Sequence, residues 1–156
     1  MGSRELRLER LSADEVVPLR TRILRPLQSE PCIYEVDDAH ATLHYGLVDE
    51  DGEPRAVMTL FPEACPEFPE DSALRLRGLC VDEGLRGRGL GRRLLEGGIA
   101  RAAVAALSAK IVWCNARTSA AAFYEACGFE PVGEVFDVPG VGPHVVMWRP
   151  MPLILA

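Results

Sequence analysis

Apolar positions in the first third of the chain follow a period of two, then a helical period, then two again. Glu5 to Arg10 alternates Leu6 and Leu8 with charged residues, which predicts a short first strand. Ser12 and Glu15 have the spacing of a capping box. Val16, Val17, Leu19, Ile23 and Leu24 then form the apolar stripe of a helix. Pro18 lies beyond the first turn, so a kink or a later helix start is expected there, and Pro26 stops the helix. Gln28 to Asp38, with Pro31 and the Asp37-Asp38 pair, reads as a loop placed to border a substrate pocket. Thr42–Val48 and Arg55–Phe61 are strand-like, and Asp49 to Gly52 between them supplies turn chemistry, so a hairpin is predicted. Pro62 to Asp71 is an acidic, proline-rich loop.

The second half is built around Leu74 to Ala106. Leu74, Leu76, Leu79 and Val81 are strand-like, with Gly78 as a bulge or close-approach position. Asp82, Glu83 and Gly84 end that strand. A glycine- and arginine-rich turn follows, and then Leu90, Leu94, Leu95, Ile99, Ala102, Ala103 and Ala106 recur on one helical face. Lys110 to Cys114 is a short apolar run suited to a buried parallel strand. Asn115 to Thr118 turns the chain, and Thr118 or Ser119 caps a helix through Ala126. Gly128 fits the residue just past that helix, with Phe129 packing back. Glu130–Phe136 and Pro143–Trp148 read as a final antiparallel pair, and the apolar tail Pro150–Ala156 packs back or extends an edge. The order β-α-β-β-β-α-β-α-β-β predicts an α+β fold, one mixed sheet covered by helices.

Length and composition narrow the class. The 156 residues are expected to form a single domain, 1–156. No apolar run reaches the roughly 18 residues of a membrane span, and the start, MGSRELRLER, has no apolar signal core. Leu6 stands where a myristoylation signal at Gly2 wants Ser or Thr. The net charge of -6 argues against a general nucleic-acid binder and tolerates a cationic acceptor. The five cysteines are widely spaced without a C-x-x-C, which argues for free thiols in a reducing cytoplasm and against a disulfide framework or structural zinc. His40 and His44 are four apart, but on strand or loop and without an H-E-x-x-H pattern, so no metal is expected. Cys80 between Leu79 and Val81 reads as a buried, inert thiol.

The turn carries the candidate chemistry. Glycines between a strand end and a helix start let backbone N–H groups converge, and the helix N-terminus adds its own donors and positive dipole end. Arg86, Arg88, Arg92 and Arg93 add permanent charge. The physical reading is a seat for phosphate or pyrophosphate; the bland alternative is an ordinary β-α turn with a basic patch. A dinucleotide fingerprint fails because Arg92 stands where its third glycine belongs, and a P-loop fails because Leu90 and Gly91 replace Lys and Ser/Thr. The pattern R-x-x-G-x-G does fit, at Arg86, Gly89 and Gly91. It resembles the acetyl-coenzyme A loop of the GNAT superfamily of N-acetyltransferases. Ile111 to Phe129, IVWCNARTSAAAFYEACGF, resembles the second signature of that family, through Asn115, Phe123-Tyr124-Glu125, Gly128 and Phe129.

The resemblance implies a GNAT-like sheet, mostly antiparallel, that splays between two parallel strands, here Leu76–Val81 and Ile111–Cys114. Backbone groups of Leu79 and Val81 would pair with pantetheine amides. Arg86, Gly87, Arg88, Gly89, Leu90, Gly91 and Arg92 would hold the pyrophosphate, and Asn115 would lie near the coenzyme. The acceptor amine would attack the thioester directly, with a backbone N–H near Val81 polarising the carbonyl. Tyr124 matches the tyrosine that protonates the departing thiolate, and a phenol is protonated at neutral pH. The early glutamate base of histone-type members is absent, because Leu74, Arg75, Leu76 and Arg77 stand there. His144 and Glu134 are the base candidates, with Asp137, Glu70 and Asp71 behind them; His144 alone has a free-solution pKa near neutrality, and its competing reading is a surface turn histidine. The expected cosubstrate is acetyl-coenzyme A without a metal. The expected partner is a small-molecule or peptide amine, with a homodimer left open, and no nucleic acid or membrane. The competing function is a non-catalytic acyl-coenzyme A sensor or interaction module of the same fold.

Overall fold

The computed structural model describes residues 5–154. The N-terminal lipidation reading and the last two residues of the apolar tail lie outside the described residues. Seven strands form one sheet: β1 (Arg7–Leu11), β2 (Leu43–Val48), β3 (Pro54–Pro62), β4 (Ala73–Val81), β5 (Ile111–Arg117), β6 (Glu130–Val138) and β7 (Gly142–Pro150). Their order across the sheet is β1-β2-β3-β4-β5-β7-β6. All neighbours are antiparallel except β4 and β5. Three helices, α1 (Ala13–Leu24), α2 (Leu90–Ala105) and α3 (Ala121–Ala126), complete the predicted element order.

The two faces of the sheet follow from the alternation of its strands. Leu74 and Leu76 of β4 join Tyr45, Met58 and Leu60 in the main core, under Leu94, Leu95 and Ile99 of α2. On the opposite face Val57 and Cys80 pack against Val16 and Leu19 of α1. The acidic loop covers the far end of that face, where Cys65 and Phe68 pack with Trp113, Val146 and Trp148. Gly97 and Gly98 let α2 lie close to the sheet, because a Cβ there would stand 2.7 Å from Leu8 and from Met58 respectively.

The capping box forms: Ser12 Oγ accepts from the Glu15 N–H at 3.3 Å, and Glu15 accepts from the Ser12 N–H at 3.0 Å. The later helix start expected at Pro18 is not taken. α1 begins at Ala13 and runs through the proline, which is exposed, so water can serve the carbonyl its missing N–H leaves free. A second correction concerns β5. It continues through the stretch read as a turn to Arg117, because β7 supplies partners for every residue from Ile111↔Pro150 to Arg117↔His144. Thr118–Ala120 then forms a 3-10 turn, and neither Thr118 nor Ser119 caps α3 with its side chain. Gly128, with φ of 88°, closes α3 as expected. Its N–H reaches the Glu125 carbonyl at 3.0 Å and that of Phe129 the Tyr124 carbonyl at 2.9 Å, a Schellman arrangement.

Gly46 and Gly97 make a paired test of this packing. A Cβ at Gly46 would stand 2.9 Å from the Ala56 carbonyl oxygen, which is fixed in the sheet, whereas at Gly97 it meets only the tip of Leu8. Gly46→Ala should cost about 1–3 kcal/mol in denaturant unfolding. Gly97→Ala should cost less than about 1 kcal/mol, since alanine also favours the helix. Equal costs would show that the close backbone approach is not what selects Gly46.

Candidate active site

β4 is paired along its length with β3 but only briefly with β5. The parallel register covers Ala73↔Ile111, Leu74↔Val112 and Arg75↔Trp113, and no further pair follows. Among the described residues, Leu76 to Val81 therefore present one edge of backbone groups to no strand. The expected splay is there, but it opens later on β5 than the resemblance placed it, since Ile111 to Trp113 are still paired. A bulge accompanies it. The β3–β4 register shifts so that Met58 faces both Gly78 and Leu79, with Gly78 at φ of 69°. The bulge changes the alternation: Leu79 and Val81 pack against the α2 side, as Leu74 and Leu76 do.

The turn after β4 is built for exposed backbone. Asp82 accepts from the Gly84 N–H at 2.8 Å and starts a 3-10 turn over Glu83–Leu85. Gly87 and Gly89 have φ of 79° and 73°, conformations that a side chain would strain, and a Cβ at either would meet nothing within 4 Å. Gly89 is the N-cap of α2 and no side chain caps it. The first N–H donors of a 16-residue helix thus face open space at its positive end. Arg86 and Arg88 are exposed beside them. Arg92 is held by Glu96 at 2.9 Å, one turn on, and Arg93 reaches back to the Leu6 carbonyl.

Two adjoining clefts of about 310 and 330 Å³ run from this turn to the β4 edge, with Val81, Arg86, Gly91 and Phe123 shared between their walls. Leu79, Val81, Ile23, Leu24 and Tyr124 line the first. Gly87, Gly89, Leu90 and Arg92 line the second. Gly91 touches Phe123, which a Cβ there would meet at 3.4 Å. Sequence reasoning did not place Ile23 and Leu24 at this site, because only the packing of α1 across the sheet brings them there.

Tyr124 stands edge-on to Phe123 and Phe129, with ring centroids 5.1 and 5.4 Å away. Burial pushes its hydroxyl well above the ordinary phenol range, and the neighbouring Cys114 thiol, to which it is hydrogen-bonded, pushes the same way. Burial likewise moves the Cys114 and Cys80 thiols up to about 12, so both stay protonated. The remaining candidates lie elsewhere. Asn115 is on β5 opposite Val146, on the face away from α2, and lines neither cleft. His144 is not a surface turn residue: it is buried in β7, bonded through Nδ1 to the Gly142 carbonyl at 2.8 Å and stacked on Phe136. Glu134 is exposed on β6. No Asp, Glu or His lines either cleft.

Asp82 ties the turn to its surroundings. Arg22 of α1 reaches it at 3.0 Å and Arg55 of β3 at 3.1 Å, while Arg55 also holds Asp49 at 3.2 Å. Partial burial alone would raise the Asp82 carboxyl; the Gly84 N–H and the two guanidinium groups outweigh it and hold it below the usual carboxylate range. The Glu53 N–H, then Arg55, do the same for Asp49 against its burial.

A family model described as an acetyltransferase (GNAT) domain matches residues 41–131. An uncharacterized N-acetyltransferase of Bacillus subtilis strain 168, YitI, is 37% identical over 145 residues, covering 92% of this chain and 95% of that protein. The crystal structure of Escherichia coli ElaA superposes with a TM-score of 0.73 at 23% identity, over 92% of this chain and 99% of that one. An acyl-CoA N-acyltransferase from Pseudomonas aeruginosa gives 0.72 at 24% identity, over 92% and 99%.

The depressed carboxyls fix the sign of an acid effect. A carboxylate whose folded pKa lies below its unfolded value stabilises the fold above the unfolded value, and that contribution goes as pH falls through the folded one. Stability should therefore fall steeply below about pH 4. Asp82→Asn should lower the melting temperature near neutrality by about 2–5 °C. The gap to the parent should close as pH is lowered. A gap independent of pH in a melting series would rule out this ion-pair origin.

Proposed function

The chain belongs to the GNAT acetyltransferase family of acyltransferase enzymes, and on that premise we propose that it moves an acetyl group from acetyl-coenzyme A to a primary amine by direct attack on the thioester. The observation that carries this reading is the unpaired β4 edge lying next to an uncapped helix N-terminus. An extended chain with amide groups can add to the first, and an anion can sit at the second. In this reading backbone groups of Leu79 and Val81 bind the pantetheine arm. The N–H groups from Gly87 to Arg92, with Arg86 and Arg88, bind the pyrophosphate. Two features of this chain fit such a ligand: the open space above Gly87 and Gly89, and the continuous clefts between turn and edge. The coenzyme supplies the activated acyl thioester; the protein supplies position and donors.

Tyr124 is the group placed to serve the leaving sulfur. Its raised pKa keeps the hydroxyl protonated across the neutral range. Full transfer of that proton to a thiolate of ordinary pKa, about 8.5, is uphill, so the phenol acts first as a hydrogen-bond donor. Asn115, His144 and Glu134 take no part in this reading, because they lie outside the clefts. The acceptor amine gives its proton to solvent.

Thermal melting with acetyl-coenzyme A, coenzyme A and NADH tests the reading first. A ligand at 100 times its dissociation constant stabilises by about 2.7 kcal/mol, a shift of several degrees for a domain of this size. Both coenzyme A species should shift the transition and NADH should not. No shift with any of them would leave the Arg86–Gly91 segment as a turn without a ligand.

Tyr124→Phe should lower kcat by about 10²-fold or more while the coenzyme dissociation constant stays within about twofold. Unchanged turnover would remove Tyr124 from the mechanism. Coenzyme binding with no turnover of any amine would favour the sensor reading instead.

A further inference from the structure

The face of β4 turned away from α2 carries a second, unexplained concentration of positive charge. Arg20 of α1 is fully buried and paired with Asp37 at 2.7 Å, and it also donates to Thr59 and to the Cys32 carbonyl. Arg75 is paired with Glu63 at 2.9 Å and lies over the Trp113 ring. Arg77, between them, has no carboxylate partner among the described residues. Its guanidinium lies 3.9 Å from the centroid of the Tyr34 ring, and that of Arg20 lies 4.0 Å from the same centroid. Both guanidinium groups are thus held over the one ring. Burial, with Arg75 and Arg20 nearby, lowers the Arg77 pKa, the cost of a half-buried charge without a counter-ion.

The neighbours of Arg77 carry unmet donors of their own. Two buried side-chain polar atoms of the described residues have no hydrogen-bond partner, and they are Arg20 Nε and Arg75 Nε. Both flank Arg77. A Cβ at Gly78 would stand 3.0 Å from Arg20 Nε and 3.4 Å from the Tyr34 hydroxyl, so the Arg20 end of the stack lies at the bulge itself. Both Nε atoms are sealed from solvent, so they are a cost the fold carries beside Arg77 and not donors that a ligand reaches. Arg77 also lies on the stretch of β4 that has parted from β5, two residues past the last pair.

We propose that this face takes an amine acceptor that also carries a carboxylate, and that Arg77, held over the Tyr34 ring, is the residue that selects it. The inference rests on the acetyl-transfer reading above for the amine. The anion selectivity rests on the Arg20–Tyr34–Arg77 stack alone. A polycation such as spermidine is disfavoured here by three guanidinium groups with only two carboxylate partners between them. Across the gap Asn115 and His144 stand on the same face of the sheet, while the acidic loop covers its far end.

Equilibrium binding to the free and the coenzyme A-saturated protein tests this. The probes are N-acetyl-β-alanine, N-acetyl-L-leucine and N-acetyl-L-glutamate, each beside its carboxamide, with N-acetylspermidine as the cationic comparison. At least one carboxylate should bind about tenfold or more tighter than its amide, the scale of one charge-assisted contact. Arg77→Gln should bring that ratio to about 1, and Arg77→Lys should keep part of it, with the coenzyme dissociation constant unchanged. Carboxylates that bind no better than their amides, or not at all, overturn the proposal, as does a preference that survives Arg77→Gln. Should that variant fail to fold, the Nε resonance of Arg77 in the 15N-labelled parent must move with the carboxylate and stay still with the amide; the reverse overturns it. Failure of coenzyme A to shift melting is a separate result, and it would condemn the cleft reading while the carboxylate ratio in the free protein still decides this one.

Discussion

The β4 strand is hydrogen-bonded along its whole length on one side and through three residues on the other, and that asymmetry governs the molecule. A buried strand edge must find partners for its N–H and C=O groups in protein, water or ligand. Pairing with β5 ends at Arg75, and β5 is drawn away by its unbroken ladder with β7. The bulge at Gly78 then sends Leu79 and Val81 to the α2 side, beside the turn from which α2 starts. One irregular residue thus brings a free backbone edge and a free helix N-terminus to the same cleft.

Holding such a gap open needs a rigid bank, and buried polar contacts supply it. Arg20, Asp37, Thr59 and His44 form one connected set: Arg20 bonds Asp37 and Thr59, and His44 bonds Thr59 at 2.8 Å and the Asp37 carbonyl at 2.9 Å. The set pins the segment after α1 onto β3 and so fixes Tyr34 beside Gly78. A buried ion pair adds little net stability over an apolar packing of the same volume. Its contribution here is to position: a segment of turns without regular structure is held in one arrangement against the sheet. Asp82 plays the corresponding part at the far end of β4, joining the turn to α1 and β3 through two arginines.

What the sequence made legible was local. The capping box at Ser12, the hairpin around Asp49–Gly52, the helical stripe from Leu90 and the closure of α3 at Gly128 all depend on residues within a few positions of one another. Each formed where its chemistry placed it. The glycine turn was legible for the same reason. The length of β5 was not, since Asn115 to Arg117 are strand only because β7 lies alongside. The course of α1 through Pro18 depends on that proline facing solvent, and the burial of His144 on its place in β7. Arg77 was visible in the sequence only as the absence of a glutamate; its stack on Tyr34 joins segments that no periodicity connects.

Net charge is a poor guide to the local field on either side of β4. The chain carries -6 overall, yet Asp37, Glu63, Asp49 and Asp82 are each paired with an arginine, so the surplus acid lies elsewhere on the surface. At the turn after β4 the attraction comes from backbone dipoles and exposed arginines; it favours any phosphate and is weakened by salt. At Arg77 the charge is half-buried, stacked on a ring and flanked by donors without partners, which makes it less screened and more selective in geometry. The two kinds of electrostatics suit different tasks: the dipolar, screened one favours any phosphate, and the half-buried, stacked one an anion of defined geometry.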